Sequence, residues 1–200
     1  MIISIKQENL NYVKARLDTS KLDLNATDSA GWSCFHHACY FGRSTDIINF
    51  FLNDYENYRK FKVPHIDFNK KNIEGSIPFD LACKHGRFKC IELLINNLKI
   101  ELNNQDNYGT GLQESLRTGF HYVCYDGDPE KINLFLNSKR NIDFNAKSTK
   151  KYLGYEPGTT AIDILLSKNG HILKKLNVFI KLSNKNRYFE LQSNKIVTSI

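Results

Sequence analysis

The sequence contains no long apolar run. No stretch approaches the roughly 18 consecutive apolar residues of a membrane-spanning helix, and residues 1–8 lack the long apolar core of a secretory signal peptide. The mean hydropathy of −0.44 is that of a soluble chain, and a hydrophobic content of 41% suffices for a core. We therefore expect a cytoplasmic protein without a membrane span.

The common signatures of catalysis are also missing. The chain has neither the Gly-x-Ser-x-Gly turn of a hydrolase nucleophile nor a glycine-rich phosphate loop. The paired Cys-x2-Cys spacing of a structural zinc site is absent as well. The cysteines are odd in number and fall inside apolar helical patterns, which favours buried thiols over disulfides: Cys34, Cys39, Cys83, Cys90 and Cys124. The sequence predicts a protein that is not an enzyme and that binds neither cofactor nor metal.

Positive charge exceeds negative charge by a net +7, which permits attraction to nucleic acid or to an anionic membrane. The lysines are scattered, and the nearest approach to a cluster is a basic C-terminal third: Lys147, Lys150, Lys151, Lys168, Lys174, Lys175, Lys181 and Lys185. Such scatter favours a solvated basic surface over a nucleic-acid groove. Binding of nucleic acid or of an anionic membrane by this basic surface is therefore an alternative function and not the one we expect.

One short phrase occurs four times: a hydrophobic residue, an acid, a second hydrophobic residue and an asparagine. Its copies are residues 22–25, 66–69, 100–103 and 142–145, and their asparagines are 44, 34 and 42 residues apart. A phrase that recurs at a period of roughly 20–50 residues is typical of a stacked-repeat array. Each unit of such an array buries its apolar face against its neighbours, so we expect an elongated surface suited to holding a partner.

A turn and two short helical patterns follow each phrase, and the first unit shows them best. Gly31 suits a turn that needs a positive φ, and Ser33 is placed to cap the first helix. Phe35 begins an apolar stripe at helical spacing. Gly42 is predicted to end this helix in the left-handed conformation.

These units resemble the ankyrin repeat, whose core reads Thr-Pro-Leu-His-x-Ala-Ala-x-x-Gly and is followed by an Ile-Val-x-Leu-Leu helix. Four segments fill that frame in register: residues 33–42, 77–86, 118–127 and, less well, 160–169. Residues 9–17 look like the second helix of an N-terminal half repeat. The resemblance implies an all-α ankyrin-repeat solenoid of about four helix-turn-helix repeats over residues 1–180, followed by a C-terminal cap or flexible tail at 181–200.

The resemblance also implies structural roles inside each repeat. In ankyrin repeats the histidine of the frame bonds to the turn backbone of the adjacent repeat, and an aspartate at the same position also accepts bonds from turn amides. The glycine of the frame ends the first helix. The residues that take these structural roles here are His36, Asp80, His121, Asp163, Gly42, Gly86 and Gly127.

The hairpin tips and the exposed side of the first helix are free to vary in ankyrin proteins and line their concave face. The resemblance implies that the partner-binding residues of this chain are those at the corresponding positions: Trp32, Tyr40, Phe41, Glu74, Lys84, His85, Tyr108, Tyr125 and Asp126. Tyrosine and tryptophan dominate binding hot spots. We therefore expect a monomeric scaffold that binds a partner protein through a concave, aromatic-rich face. The alternative is that these side chains only pack against neighbouring loops.

Three insertions interrupt the frame, at residues 53–61, 110–117 and 148–157, and they are more aromatic or apolar than plain spacers. We expect the first to prolong a second helix and the other two to be loops, which often lie on the binding face of a repeat protein.

Three further possibilities follow from the resemblance. A composition rich in asparagine, lysine and isoleucine, with irregular repeats, looks like that of ankyrin proteins from intracellular pathogens, which implies a secreted effector acting in host cytoplasm. The asparagine of the recurring phrase is the site that asparaginyl hydroxylase modifies in ankyrin proteins, and Asn25 fits that pattern best. The third possibility is that the repeats are the targeting module of a longer enzyme.

Overall fold

The computed structural model describes residue 5 and residues 9–19, 23–42, 45–55, 65–85, 87–108, 115–149 and 154–167. Within these ranges the chain forms four successive units, each with a turn or hairpin and a first helix, which a second helix follows in the first three units. The predicted second helix of the fourth unit and the predicted tail at 181–200 lie outside the described residues.

The helices fall into two sets. The first helices of the four units are α2 (Cys34–Phe41), α4 (Pro78–Lys84), α6 (Gly119–Asp126) and α8 (Ala161–Ser167). The second helices are α3 (Asp46–Asn49), α5 (Phe88–Ile95) and α7 (Pro129–Asn137), and α1 (Leu10–Thr19) precedes the first unit. Each first helix packs against the first helix of the next unit, and α5 packs against α7. The architecture is the helical solenoid that the repeat pattern predicts.

Aromatic side chains of the first helices form the centre of the core. Phe35, Phe79 and Phe120 occupy the same position of the frame, and each is at most 1% exposed. The rings of Phe35 and Phe68 meet edge to face with centroids 4.8 Å apart, and those of Phe120 and Phe144 meet at 5.0 Å. Because Phe68 and Phe144 belong to the recurring phrase of the following unit, the core runs from one unit into the next.

The asparagine of the recurring phrase joins each unit to its successor. The side-chain amide of Asn25 donates to the carbonyl of His65 at 2.7 Å, and its Oδ1 accepts from the backbone N–H of Asp67 at 2.8 Å. Asn69 and Asn103 make the same two bonds to the phrase of the next unit. The side chain of this asparagine therefore holds adjacent units together and does not stabilise only its own unit.

Local signals set the ends of α2. Gly31 has a φ of 76°, as predicted, and the Oγ of Ser33 lies 3.5 Å from the backbone N of His36. Gly42 ends the helix with a φ of −22°, so the prediction of a left-handed conformation is wrong there. A Cβ at Gly42 would lie 2.9 Å from the carbonyl oxygen of Ala38. This close approach is the physical reason for the glycine.

Two local features depart from the simple frame. Helix α3 continues as a π-helical turn over Phe50–Asp54. In the third unit β1 (Asp106–Tyr108) pairs antiparallel with β2 (Ser115–Arg117), and Asp106 stands opposite Arg117. The insertion at 110–117, predicted to be a loop, is therefore a strand over its last three residues. The predicted extension of α3 beyond residue 55 lies outside the described residues.

Candidate functional site

The predicted binding residues of the first two units form one cluster of rings. Tyr40 lies at its centre, with ring centroids 5.0 Å from Trp32, 4.9 Å from Phe41 and 4.0 Å from His85. All three contacts are edge to face. These four residues, called the ring cluster below, span the seam between α2 and the end of α4. Trp32, Tyr40 and Phe41 are half-buried, whereas His85 is exposed.

A part-buried contact between His37 and Asp28 supports the ring cluster. The Nε2 of His37 lies 2.9 Å from Asp28 Oδ2, and the His37 ring stacks on Phe41 and tilts against Trp32. Asp28 also accepts from the backbone N–H groups of Ala30 and Trp32. Burial opposes ionisation of Asp28, but these bonds and the one with His37 outweigh it and lower the pKa of Asp28. The rings are therefore held on a fixed support.

The hairpin tips of the first two units meet beside the ring cluster. The backbone N–H of Ile73 donates to the carbonyl of Ala30 at 3.2 Å, and a Cβ at Gly31 would come within 2.9 Å of the Ile73 nitrogen. The Ile73 side chain is 73% exposed. The tips and the first helices together make one surface, called the front face below, and Ile73 is an exposed apolar residue on it.

The charged residues predicted for binding have partners of their own. Lys84 Nζ lies 3.8 Å from Glu74 Oε2, and Asp126 pairs with Lys131 of its own unit. Burial lowers the pKa of Lys84. Tyr125, near the end of α6, is 36% exposed. The remaining predicted residue, Tyr108, lies in β1, but its side chain is outside the described part of the structure.

The four residues at the histidine position of the frame share one bond. His36 and His121 each accept, at Nδ1, the backbone N–H of the residue three positions earlier, at 3.1 and 3.2 Å. Asp80 and Asp163 accept the corresponding N–H at Oδ2, at 3.1 and 2.8 Å. Each side chain therefore fixes the N-terminus of its own first helix.

His36 also makes the predicted bond to the turn backbone of the adjacent unit, and Asp80 accepts from the side-chain amide of Asn104 in the third unit. Because the Nδ1 of His36 is an acceptor, the proton is on Nε2, which donates to the carbonyl of Ser76 at 3.2 Å. Burial lowers the pKa of His36 to about 4, and the bond to Ser76 only partly offsets this effect. Burial likewise lowers the pKa of His121 to about 4. Both histidines are neutral at physiological pH.

The glycines of the frame do not share one conformation. Gly127 ends α6 in the left-handed region with a φ of 78°, unlike Gly42. Gly86 lies outside the described residues.

A buried polar network that sequence reasoning missed lies between α4, β1 and α6. Asp106 is fully buried, and its Oδ2 accepts from Ser76 Oγ at 2.9 Å and from the Tyr122 hydroxyl at 2.6 Å. The guanidinium of Arg117 lies over the Tyr122 ring at 5.9 Å. Burial raises the pKa of Asp106, although Tyr122, Ser76 and the nearby cations oppose the rise.

One sequence signal could have identified this network. Asp106 lies three residues after Asn103 of the recurring phrase, just as Asp28 and Asn72 lie three residues after theirs. Asp28 and Asn72 each bond across their hairpin, to the backbone N–H of Trp32 and of Ser76. The spacing therefore marks a hairpin position, and in the third unit the side chain at this position bonds to Ser76 of the second unit and to Tyr122 of α6.

Asn25, the residue predicted for hydroxylation, has both ends of its amide bonded to the second unit. Its backbone N–H donates to Asp23 Oδ1 at 2.9 Å. The residue is half-buried.

The cysteines belong to the core. All five are buried free thiols, and burial raises the pKa of Cys39, Cys83 and Cys124 well above the ordinary range. Burial also raises the pKa of Cys34, to about 11. Protonated thiols inside a packed core are structural side chains.

Stacked units of hairpin, first helix and second helix, with variable side chains on tips and first helices, define a repeat-type binding scaffold. A family model of ankyrin repeats, in three copies, matches residues 1–106, which is more than half of the chain. The chain belongs to the ankyrin-repeat family. No curated protein matches it.

Membership of this family makes the chain a protein–protein interaction module, and ankyrin-repeat domains are in general not catalytic. The match ends at residue 106; beyond it, α6, α7 and α8 continue the frame. Among the described residues, no helix is long and apolar enough to cross a membrane.

Proposed function

We propose that the front face binds a partner protein and that the ring cluster at the seam of the first two units is the centre of the contact. The observation that carries the proposal is the position of Tyr40, whose ring meets three other rings while the cluster stays partly open to solvent. Aromatic anchors of this kind dominate binding energies, typically by about 2 kcal/mol or more on truncation.

The support beneath the rings favours binding over a purely structural role. The pair of His37 and Asp28 and the bonded hairpin tips hold the rings in one arrangement, so little conformational entropy is lost when a partner docks. Packing alone does not account for Ile73, which is 73% exposed beside these rings. Glu74, Lys84, Tyr125 and Asp126 are proposed to lie at the edge of the contact.

Site-specific photo-cross-linking tests this proposal. A benzoylphenylalanine side chain placed at position 73 should cross-link a protein from cell lysate, and the same probe at position 98 should not. Leu98 is the matched control because it is 83% exposed, on the turn that follows α5 and away from the hairpin tips.

A second variant tests the contribution of the rings. Tyr40→Ala in the chain that carries the probe at position 73 should abolish the cross-link, whereas Tyr12→Ala, which removes an exposed tyrosine of α1, should preserve it. Circular dichroism and thermal melts establish that both variants are folded. A cross-link that survives Tyr40→Ala would contradict the proposal.

The basic-surface alternative depends on the lysines of the C-terminal third, of which Lys147 is exposed and the others lie outside the described residues. Its binding to nucleic acid or anionic membrane would weaken steeply with salt, whereas a contact centred on rings should persist at high salt. The cross-link at position 73 should therefore be retained when salt is raised from 50 to about 500 mM.

The roles of effector, hydroxylase substrate and targeting module, together with the monomeric state and cytoplasmic location, stay predictions. A reporter-fusion translocation assay would contradict the effector hypothesis if it showed no delivery. Intact mass after incubation with an asparaginyl hydroxylase tests Asn25, because each added oxygen is visible in the mass.

A further inference from the structure

The second unit is the basic part of the front face. From residue 70 to residue 87, just before α5, the positively charged side chains are Lys70, Lys71, Lys84 and Arg87, and the acids are Glu74 and Asp80. Asp80 is 1% exposed, and burial raises its pKa well above the ordinary value. It therefore adds little negative charge to the surface.

The neighbouring unit does not continue this charge. In the third unit Asp126 and Asp128 both pair with Lys131, at the start of α7. The excess of positive charge in the second unit is therefore not continued by these residues of the third unit.

His85 connects the rings to the basic residues. Its ring is 4.0 Å from Tyr40, and burial followed by the charges of Lys84 and Arg87 lowers its pKa. Both cations are therefore close to the exposed edge of the ring cluster. Glu74 offsets Lys84 at 3.8 Å, but Arg87, Lys70 and Lys71 have no ion pair within the part of the chain that the structure describes.

We infer that the front face of the first two units takes a short acidic segment of the partner protein, with an apolar side chain against Trp32, Phe41 and Ile73 and carboxylates beside His85 and Arg87. The inference rests on the proposed function and specifies the chemistry of its partner. Charge complementarity is its basis, since an acidic segment meets unpaired cations next to an apolar surface.

The ring geometry favours a peptide over single-stranded nucleic acid as the occupant. Base stacking needs open ring faces, but the ring of Tyr40 meets Trp32, Phe41 and His85 at interplanar angles of 60°, 76° and 61°. The rings therefore cover one another and present edges. Edges and half-buried rings suit a branched apolar side chain better than a planar base.

Selection from a displayed library of random 12-residue peptides on the purified full chain tests the inference. We expect the enriched peptides to carry net negative charge and at least one large apolar residue. For a synthetic copy of the best peptide, Tyr40→Ala should weaken binding at least tenfold. Arg87→Glu should weaken it about fivefold at 50 mM salt and much less at 500 mM. Lys139→Glu, an exposed lysine after α7, is the matched charge control and should change binding less than twofold.

The outcomes separate the two proposals. Enriched peptides that need Tyr40 but carry no negative charge would overturn the acidic-segment inference and leave the front-face proposal standing. Peptides that bind Tyr40→Ala as tightly as wild type would count against both. No enrichment on the wild-type chain, or Tyr40-dependent binding of a 12-nucleotide polyuridine in place of peptides, would also overturn the inference.

Discussion

At the residue scale, single polar side chains decide how the units are joined. Asn69 donates from Nδ2 to the carbonyl of Lys99 and accepts at Oδ1 from the N–H of Glu101, both at 2.8 Å. Two backbone groups of the third unit thus depend on one side chain of the second. The acid that precedes the asparagine has a different, local role, since Asp67 Oδ1 accepts from the backbone N–H of Asn69 at 3.0 Å.

Asn69→Ala should lower the free energy of unfolding by about 1–2 kcal/mol, because it removes two hydrogen bonds that are each worth about 1 kcal/mol net. The control is Asn145→Ala at the same position of the last phrase, whose side chain makes no such bond within the described residues. Urea unfolding followed by circular dichroism measures both. Equal losses for the two variants would contradict a role of the asparagine in the seam.

At the element scale, side chains anchor the hairpin of the third unit in addition to the backbone pairing of β1 with β2. Asp106 begins β1 and is bonded to Ser76 of the second unit and to Tyr122 of α6. Asp106 thus links the segment just before α4 to α6, and α4 and α6 also pack directly against each other. A buried carboxylate needs such donors, since an unmet acceptor in the core costs about 1–3 kcal/mol.

Tyr122→Phe should destabilise the chain by about 1–3 kcal/mol, because Asp106 loses its closest donor at 2.6 Å while the packing of the ring is unchanged. Tyr125→Phe, one turn further along α6, removes an exposed hydroxyl and should change stability by less than about 0.5 kcal/mol. Chemical denaturation of both variants distinguishes them. A Tyr122→Phe variant as stable as Tyr125→Phe would mean that Asp106 has found a substitute donor.

At the scale of the whole molecule, contacts inside a unit could be predicted and contacts between units largely could not. The spacing around Ser33 and Phe35 predicts a helix and its N-terminal cap from the sequence alone, and the structure has both. The family resemblance, not the spacing, predicts that His36 bonds to the adjacent unit. Neither of them predicts the partners of Asp106, because these depend on which residues of distant units the stacking brings together. Tyr40 was predicted for the surface, but its contact with His85 also required the stacking.

Buried ionisable groups give the stacked array two opposing pH dependences. The pKa values of His36 and His121 are lowered to about 4, so their contribution to stability is lost as pH falls below about 6.5. The pKa values of Asp80 and Asp106 are raised, so their contribution is fully present below about pH 4 and is lost as pH rises. Above about pH 6.5 only the carboxyl effect remains.

Asp80→Asn isolates that carboxyl effect. The amide keeps an oxygen to accept from Ile77 and Asn104 but cannot ionise, so the variant should gain stability over wild type as pH rises from 4.5 to 8. The gain should be about 1.4 kcal/mol for each unit by which folding raises the pKa of Asp80 within that range. Asp163→Asn, at the same position of the fourth unit but exposed, should not reproduce it. Urea unfolding at several pH values measures the difference; a constant difference between Asp80→Asn and wild type would show that folding does not favour the protonated form of Asp80.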